Sequence, residues 1–292
     1  MAGTQTSGPL GGVLSVVGTP IGNLRDVTPR ALETLRAADL LLCEDTRVTS
    51  KLLAHFGIRV PLQRADENVL AERVAPTIAR IEAGGRVAFV SDAGMPGVSD
   101  PGQRLVDAAL DRGLRVEVIP GPSAVTCALV ASGLPMEHFF FEGFLPRKAS
   151  AMASRLEALA GIPGALVVYE SPHRVTATLD RIAEEFPARQ VALVRELTKL
   201  HEEVFKGPAQ DVLREFSERE AHGAIRGEIA LVVGPPTPDE ADRDQEELRH
   251  AAVDRARELL SDPSVSKKDI VRMLKSEFGM GRNEAYELVH AL

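Results

Sequence analysis

The sequence predicts an α/β protein with two α/β domains, a parallel sheet in the first, a mixed sheet in the second, and a helical extension after them. Apolar runs rich in β-branched residues alternate with segments of helical length. Six of these runs are joined to loops of small, rigid or charged residues, over 14–24, 87–97, 116–124, 167–174, 191–199 and 227–235. Ligands bind beyond the carboxyl ends of strands in open α/β sheets, so these loops predict an enzyme site.

The first block alternates strand and helix. Strands are predicted over 13–18, 39–43, 86–91 and 115–119, with helices over 29–38, 48–55, 69–83 and 101–112. Thr28 and Pro29 favour a helix start, because the hydroxyl can cap free N–H groups and proline has no N–H to leave unpaired. This alternation predicts parallel strands with helices on both faces of the sheet.

The second block begins with a helix after Pro122. Its strands are predicted over 138–141, 165–169, 190–194, 202–206 and 227–233, and its further helices over 149–160, 172–185 and 208–220. The link between the third and fourth of these strands is too short for a parallel crossover. These two strands are therefore expected to pair antiparallel, which makes the second sheet mixed.

The composition changes after the second block. Prolines and acidic residues over 237–244 predict a linker, and helices are expected over 245–261, 266–277 and 281–291. The last two helices have helix-turn-helix spacing, and a bundle that caps the main body fits the same pattern. The predicted boundaries are a disordered tail at 1–12, α/β domains at 13–121 and 122–236, the linker at 237–244 and the extension at 245–292.

Composition narrows the classes of function. The chain has 292 residues, a formal net charge of −8, seven histidines and two cysteines. This charge argues against nonspecific coating of nucleic acid and leaves room for a local basic groove. Because no apolar run reaches the roughly 18 residues of a membrane span and no signal-peptide pattern is present, a cytoplasmic protein is expected. The cysteine and histidine spacings predict no metal site.

The loop over 91–102 is the strongest candidate for ligand contact. It holds three glycines, two prolines and two aspartates, which suit backbone contact with a ligand better than a core. Asp92 directly follows a strand and is expected to accept hydrogen bonds from the ligand. Ser123 and Ala124 start a helix, which leaves their N–H groups free to face a polar group. The glycine-rich loop at 18–23 lacks the dinucleotide and P-loop fingerprints.

Seven ordered stretches between Val13 and about Gly234 carry a family resemblance. They are VVGTPIGNLRDVTPRALETLRAADLLLCEDTR, VSDAGMPGVSDPG, VIPGPSA, FEGFLPRK, YESPHR, VRELTKLHEE and RGEIALVVG. Together they resemble the tetrapyrrole-methylase-like superfamily, and EDTR, ESPHR and RELTK are most similar to its RNA-modifying branch. The resemblance implies S-adenosylmethionine (SAM) in a cleft between the two α/β domains, a homodimer, and 2′-O-methylation of a cytidine in the decoding centre of 16S rRNA on the small ribosomal subunit.

The resemblance also implies which residues contact the methyl donor. They are Gly18, Pro20, Gly22, Ser91, Asp92, Gly94, Val98, Ser123, Ala124, Tyr169, Gly227, Glu228 and Ile229. The first loop has Thr19, Pro20 and Ile21 where porphyrin-modifying relatives have a glycine-proline-glycine form. This difference disfavours a tetrapyrrole substrate.

Methyl transfer to a ribose hydroxyl needs alignment, worth roughly 7–11 kcal/mol, and a proton acceptor, worth about 10²–10⁴-fold in rate. Glu196 and Lys199 are the predicted pair for proton transfer and orientation, followed by Glu170. RNA contacts are predicted at Asp45, Arg47, Arg147, Lys148, Arg174, Arg195, Lys267, Lys268 and Arg272. The arginines and lysines among them would hold phosphates.

Two other functions stay open at this point. A SAM-dependent methyltransferase for a tetrapyrrole or corrinoid precursor would share the donor site and need a wide apolar trough between the domains. A noncatalytic ribosome-binding factor would bind subunits and no methyl donor. Donor binding and labelled methyl transfer separate these functions from methylation of RNA.

Overall fold

The computed structural model describes residues 11–97, 102–262 and 264–292, with the backbone alone described at 241, 244, 245 and 247. Two five-stranded sheets and a group of C-terminal helices form this part of the chain. The predicted class, with a parallel sheet, a mixed sheet and a helical extension, is confirmed. Most of the predicted tail at 1–12 lies outside the described residues.

The first sheet is parallel throughout. Its elements are β1 (Val13–Val17), α1 (Pro29–Ala37), β2 (Leu40–Cys43), α2 (Thr46–His55), β3 (Leu62–Arg64), α3 (Leu70–Glu82), β4 (Arg86–Val90), α4 (Gln103–Asp111) and β5 (Arg115–Ile119). The strand order is β3-β2-β4-β1-β5. Strand β3 is missing from the sequence prediction, because three residues at a sheet edge carry no readable alternation. Thr28 caps α1 as predicted, accepting the Ala31 N–H at 3.1 Å.

The second sheet is mixed. Its elements are α5 (Ala124–Ser132), β6 (Phe139–Phe144), α6 (Ala149–Leu159), β7 (Ala165–Glu170), α7 (Val175–Glu185), β8 (Gln190–Arg195), β9 (Glu203–Pro208), α8 (Ala209–His222) and β10 (Ile229–Val233). The strand order is β6-β7-β10-β8-β9, and β10 is antiparallel to both neighbours. Strands β8 and β9 pair antiparallel, as their short link predicts.

Both faces of the second sheet are covered by helices. Ala165 and Val167 of β7 pack with α5, whereas Leu166 and Val168 pack with α6, α7 and α8. Successive side chains of a strand point to opposite faces, so a strand buried on both sides reads as a continuous apolar run. This burial explains why the central strands were recognisable in the sequence.

Strand directions bring the predicted loops to one edge of each sheet. All strands of the first sheet are parallel, so their carboxyl ends share an edge. In the second sheet, Ile229 at the start of β10 pairs with Glu170 at the end of β7 and with Arg195 at the end of β8. The strand-end pattern alone points to the far end of the run at 227–235, whereas the family resemblance points to Gly227, Glu228 and Ile229 at its beginning. The antiparallel β10 presents its beginning to this edge.

The C-terminal extension starts earlier than predicted. Its helices are α9 (Pro238–Leu260), α10 (Lys267–Phe278) and α11 (Arg282–Ala291). Thr237 and Glu240 form a capping box at the start of α9, and Pro238 occupies the first helical position. The segment at 237–244 was predicted as a linker and is helical from Pro238 onward. Its proline and acidic residues are helix-start signals.

The three C-terminal helices share a small apolar core. Its buried members are Ala252, Ala256, Leu259, Ile270, Leu274, Ala285 and Val289. The start of α9 is tied to the second α/β unit by an ion pair of 3.1 Å between Arg189 and Glu240, whose side chains are 2% and 12% exposed. Within the described ranges, no helix combines the length and apolar character that crossing a membrane requires.

Candidate functional site

A cavity of about 410 Å³ lies where loops from both sheets meet. Its lining residues are Ile21, Ala93, Gly94, Met95, Ser123, Ala124, Phe144, Tyr169, Glu170, Ser171, Pro172, Val194, Leu197, Gly227, Glu228, Ile229 and Ala230. Apolar side chains dominate this lining, and a few backbone and carboxylate groups are interspersed among them. A concave, mostly apolar space with few polar groups is the usual form of a small-molecule site.

The cavity brings together predicted residues from distant parts of the chain. The predicted donor contacts that line it are Gly94, Ser123, Ala124, Tyr169, Gly227, Glu228 and Ile229. Gly18, Pro20, Gly22, Ser91 and Asp92 belong to the same loops without lining it, and Val98 lies outside the described residues. These assignments as donor contacts remain predictions.

Gly18 and Gly22 shape the cavity through loop packing. A Cβ at Gly18 would lie 2.6 Å from Sδ of Met95 and 2.7 Å from Cα of Gly121. A Cβ at Gly22 would lie 2.7 Å from Oγ1 of Thr198. Both glycines therefore permit close approach of neighbouring loops, including the lining residue Met95.

Backbone hydrogen bonds fix the loop after β4 against the loop after β1. The N–H of Thr19 donates to the carbonyl of Gly94 at 2.9 Å, and the N–H of Gly94 donates to the carbonyl of Thr19 at 3.1 Å. Gly94 has a φ of 78°, a conformation that suits glycine. The buried Ser91 hydroxyl donates to the carbonyl of Ala93 at 3.2 Å. This bonding sets the position of one cavity wall.

Asp92 lies directly before the lining residue Ala93. Its Oδ1 accepts a hydrogen bond from the N–H of Asp45 at 2.9 Å. Burial raises the pKa of Asp92, and the neighbouring Asp45 carboxylate raises it further, against the opposing effects of that N–H and of Arg47. Asp92 thus combines a raised proton affinity with a place beside the cavity.

The start of α5 supplies polar backbone groups to the cavity. Ser123 precedes the helix, and its side chain makes no capping hydrogen bond. The first N–H groups of a helix have no acceptor within the helix. Because Ser123 and Ala124 line the cavity, these groups are available to a polar part of a ligand, as the sequence predicts.

Glu196 and Lys199 form an ion pair beside the cavity. Oε1 of Glu196 accepts from Nζ of Lys199 at 2.8 Å and from the N–H of Glu228 at 2.9 Å. Lys199 also reaches Oε2 of Glu228 at 2.9 Å. The Lys199 ammonium and the Glu228 N–H lower the pKa of Glu196. Burial lowers the pKa of Lys199, but the two carboxylates outweigh it and the net pKa is raised.

Glu170 lines the cavity with its carboxylate already engaged. Oε1 accepts the N–H of Ser171 at 2.7 Å, and Oε2 accepts the hydroxyl of Thr178 at 2.6 Å. Arg174 lies 3.3 Å from Oε2. The Glu170 side chain has no exposed surface. These contacts hold the start of α7 against the end of β7.

The predicted RNA contacts fall into two groups, and the first points inward. Arg174 donates to the carbonyls of Leu145 and Pro146 at 3.2 Å each. Arg195 contacts Glu203 at 2.9 Å. The side chains of both arginines are about a quarter exposed, at 25% and 23%. Both guanidinium groups therefore mainly contact carboxylates and carbonyls of the protein itself.

The second group is exposed. Arg47 is 85% exposed and pairs with Asp45, whose pKa falls to about 2 because Arg47 donates to it through side chain and backbone. Arg147 and Lys148 are exposed in the loop after β6. On α10, Lys267 and Lys268 are exposed, and Arg272 pairs with Asp269 at 2.8 Å.

Several site residues were missed by reading the sequence. Ile21, Met95, Phe144 and Leu197 line the cavity, and each lies within a stretch that carries the family resemblance. Each lies at the end of a strand or in the loop that follows one, and this position was the available signal. Thr198 was also missed, because its left-handed backbone conformation leaves no trace in residue type.

The arrangement fits SAM, the donor that the resemblance implies. The apolar walls suit the uncharged parts of the donor, the α5 N–H groups suit polar atoms, and the Glu228 carboxylate suits positive charge. The volume of about 410 Å³ lies within the usual range for small-molecule sites. Among the residues that the structure describes, no three histidine, cysteine or acidic side chains form a metal-binding group.

Known proteins share this sequence and fold. The family described as Tetrapyrrole (Corrin/Porphyrin) Methylases matches residues 13–213. A Synechocystis sp. protein named Ribosomal RNA small subunit methyltransferase I is 39% identical over 279 residues, covering 95% of this chain and 97% of the relative. A Mesorhizobium japonicum protein of the same name is 47% identical over 228 residues, covering 78% and 76%.

Solved structures share the fold at lower sequence identity. Diphthine synthase has a TM-score of 0.59 and 16% identity, covering 80% of this chain and 95% of that one. The methyltransferase CobJ has a TM-score of 0.57 and 23% identity, covering 77% and 94%. At these identities the likeness supports the architecture of the two α/β units.

Proposed function

Because this chain belongs to the tetrapyrrole (corrin/porphyrin) methylase family, we propose that it is a SAM-dependent methyltransferase of ribosomal RNA, specific for the 2′ oxygen of a cytidine in the decoding centre. The observation that carries the proposal is the cavity walled by loops of both sheets. Its relatives over nearly the full chain are named as methyltransferases of small-subunit ribosomal RNA. We place its action in the cytoplasm, where small subunits are found.

The residues that would hold the donor come from both sheets. Gly94 and the α5 N–H groups at Ser123 and Ala124 would bind polar atoms, while Tyr169 and Ile229 would contact apolar surface. When bound, SAM supplies an activated methyl group. The chain contributes a fixed space in which an acceptor oxygen can be aligned with that group, and alignment is a large source of rate enhancement in such displacements.

The predicted catalytic residues would have unequal roles. Glu196 and Lys199 are both charged at neutral pH, so we propose that they orient the acceptor, with Glu196 also able to take its proton. Glu170 would hold the cavity wall, because its oxygens accept bonds from Ser171 and Thr178. Exchange of Glu196 for Gln is expected to lower kcat at unchanged donor affinity.

The RNA would approach over exposed basic residues. We propose that Arg47, Arg147 and Lys148 contact RNA near the cavity, and that Lys267 and Lys268 dock the C-terminal helices on the small subunit. Arg272 would contact the small subunit together with Lys267 and Lys268 on α10. Arg174 and Arg195 would stabilise the RNA-binding surface near the cavity from within the fold. Phosphate contacts of this kind position an RNA and carry no sequence information.

A matched pair of arginines tests the docking surface. Arg272 pairs with Asp269, and Arg214 pairs with Asp211, each at 2.8 Å and each with its partner three positions earlier in the helix. Arg272→Ala should weaken binding to small subunits severalfold, whereas Arg214→Ala on α8 should not. Equal effects of the two substitutions would contradict the role of α10.

A homodimer is part of the proposal. Large apolar side chains are exposed on α5 and β6, among them Val130 at 67%, Phe139 at 49% and Phe140 at 36%. Contiguous exposed apolar surface is characteristic of protein interfaces. Sedimentation equilibrium of the purified chain should give twice its mass of 31.4 kDa.

The central experiment measures methyl transfer directly. Purified protein, SAM with a labelled methyl group and small subunits from a strain that lacks this gene are incubated together, and ribose methylation is mapped by mass spectrometry. Label on a cytidine ribose of the decoding centre is the expected result. If label were transferred to a tetrapyrrole precursor and not to RNA, the proposed substrate would be wrong. If calorimetry detected no binding of SAM, the proposed methyltransferase activity would be wrong.

A further inference from the structure

The loop between β8 and β9 is held in an unusual backbone conformation. Glu196 has a φ of 53° and Thr198 a φ of 65°, and in the described part of the chain these are the residues other than glycine with positive φ. A β-branched residue such as Thr is a genuine outlier in the left-handed region. Backbone strain of this kind persists where surrounding contacts hold it, and it clusters at functional sites.

Side-chain and backbone bonds hold this conformation in place. The N–H of Thr198 donates to Oε2 of Glu202 at 2.5 Å, and the N–H of Lys199 donates to the carbonyl of Glu196 at 3.0 Å. The N–H of Glu196 donates to the carbonyl of Glu228 at 2.9 Å. The loop is thus fixed by its own turn and by the loop before β10.

The same loop contacts the first α/β unit. Oγ1 of Thr198 accepts the N–H of Asn23 at 3.0 Å, a bond between residues 175 positions apart. A Cβ at Gly22 would lie 2.6 Å from Cγ of Lys199, 2.7 Å from Oγ1 of Thr198 and 2.9 Å from the carbonyl oxygen of Leu197. The two loops therefore meet at a distance that only glycine permits at position 22.

This contact adjoins the cavity on both sides. Ile21 precedes Gly22 and lines the wall from the first sheet, and Leu197 precedes Thr198 and lines the wall from the second. A change in the separation of the two loops must change the separation of these two walls. The hydroxyl of Thr198 is positioned to set that separation.

We propose that Thr198 is a positioning residue that holds the two walls of the donor cavity at their binding distance. It acts through the Asn23 N–H and through contact with Gly22, without touching the donor. The proposal rests on the proposed function only in taking SAM as the ligand of the cavity. The strained backbone at Thr198 points its hydroxyl across to the first unit.

The test compares two threonines that accept a backbone N–H through Oγ1. Thr198 does so between the units at 3.0 Å, and Thr28 does so within α1 at 3.1 Å. Thr198→Val removes the acceptor at nearly constant shape and should raise the Kd for SAM by about tenfold in calorimetry. Thr28→Val should lower Tm and leave this Kd within about twofold. Thr198→Ser keeps the hydroxyl and should restore binding.

A second perturbation reaches the same contact from the other unit. Gly22→Ala inserts a methyl group between the loops and should weaken donor binding to a similar extent. The double variant with Thr198→Val should be no weaker than the more affected single variant, because both disrupt one contact. Additive effects would contradict the proposal, because the two substitutions would then act through different contacts.

The outcomes separate this proposal from the proposed function. A lowered Tm with unchanged donor Kd in both Thr198→Val and Gly22→Ala would overturn the positioning role. If Thr198→Val does not fold, Thr198→Ala also lacks the hydroxyl and should raise the donor Kd, and an unchanged Kd in that variant would overturn the positioning role. Wild-type protein that binds SAM and fails to methylate RNA would overturn the proposed substrate alone, while the positioning role would still be measured by donor binding.

Discussion

Gly227→Ala is expected to damage both stability and donor binding. Gly227 has a φ of 96° and lines the cavity. A Cβ at this position would lie 2.5 Å, 2.6 Å and 2.7 Å from Cγ, Cδ and Oε1 of Glu196. The Glu196 carboxylate cannot move aside freely, because it accepts hydrogen bonds from Lys199 and from the N–H of Glu228.

Two costs add in this substitution. A residue other than glycine at such a φ costs about 1–2 kcal/mol. Displacement of the Glu196 carboxylate from its donors costs about 1.5–2 kcal/mol more, since its side chain is only 18% exposed. The sum of about 3 kcal/mol corresponds to a fall in Tm of roughly 6–12 °C for a chain of this size. Scanning calorimetry measures this fall.

Measuring Gly227→Ala in a protein that also carries Glu196→Ala separates the backbone cost from the cost of displacing the Glu196 carboxylate. Glu196→Ala removes the three Glu196 atoms that a Cβ at Gly227 would meet, so Gly227→Ala should then cost only the backbone part, about 1–2 kcal/mol. Gly161→Ala is the control, because a Cβ at Gly161 has no neighbour within 4 Å. The reasoning fails if Gly227→Ala is as mild as Gly161→Ala, or if its cost is the same with and without Glu196.

Three further outcomes concern charge. Arg189→Met should lower the free energy of unfolding by about 3 kcal/mol in urea titrations, because Glu240 then lacks its buried partner. Burial raises the pKa of Glu240, but the Thr237 N–H and Arg189 outweigh it and lower the pKa below 4.5. The stability lost in Glu240→Gln should therefore be full above pH 4.5 and should disappear as the pH falls through the lowered pKa, which a series of unfolding measurements from neutral pH into acid follows. Replacing Lys268 by Ala should reduce the slope of log affinity against log salt for small subunits by about 1.

Much of the fold follows from local patterns. Buried strands such as β7 read as apolar runs, and Thr28 and Pro29 mark the start of α1. The family resemblance predicted from the ordered motifs is confirmed. Local signals mark where a strand ends, and parallel pairing then brings those ends together.

The failures arise where tertiary structure decides. The direction of β10 depends on its pairing with β7 and β8, so the strand-end pattern alone does not tell which end of this run reaches the cavity. The start of α9 at Pro238 was obscured because acidic residues and prolines occur in linkers and at helix starts alike. The left-handed backbone of Thr198 depends on contacts with a distant loop.

The proposed RNA recognition is compatible with a net charge of −8, because it needs only local positive charge. Arg195 at the end of β8 and Arg174 at the start of α7 neutralise carboxylates within the fold and stabilise the loops around the cavity. Arg147 and Lys148, in the loop after the edge strand β6, are exposed at the surface. A few exposed cations would suffice to position an RNA at the proposed site, whereas nonspecific coating of nucleic acid needs many.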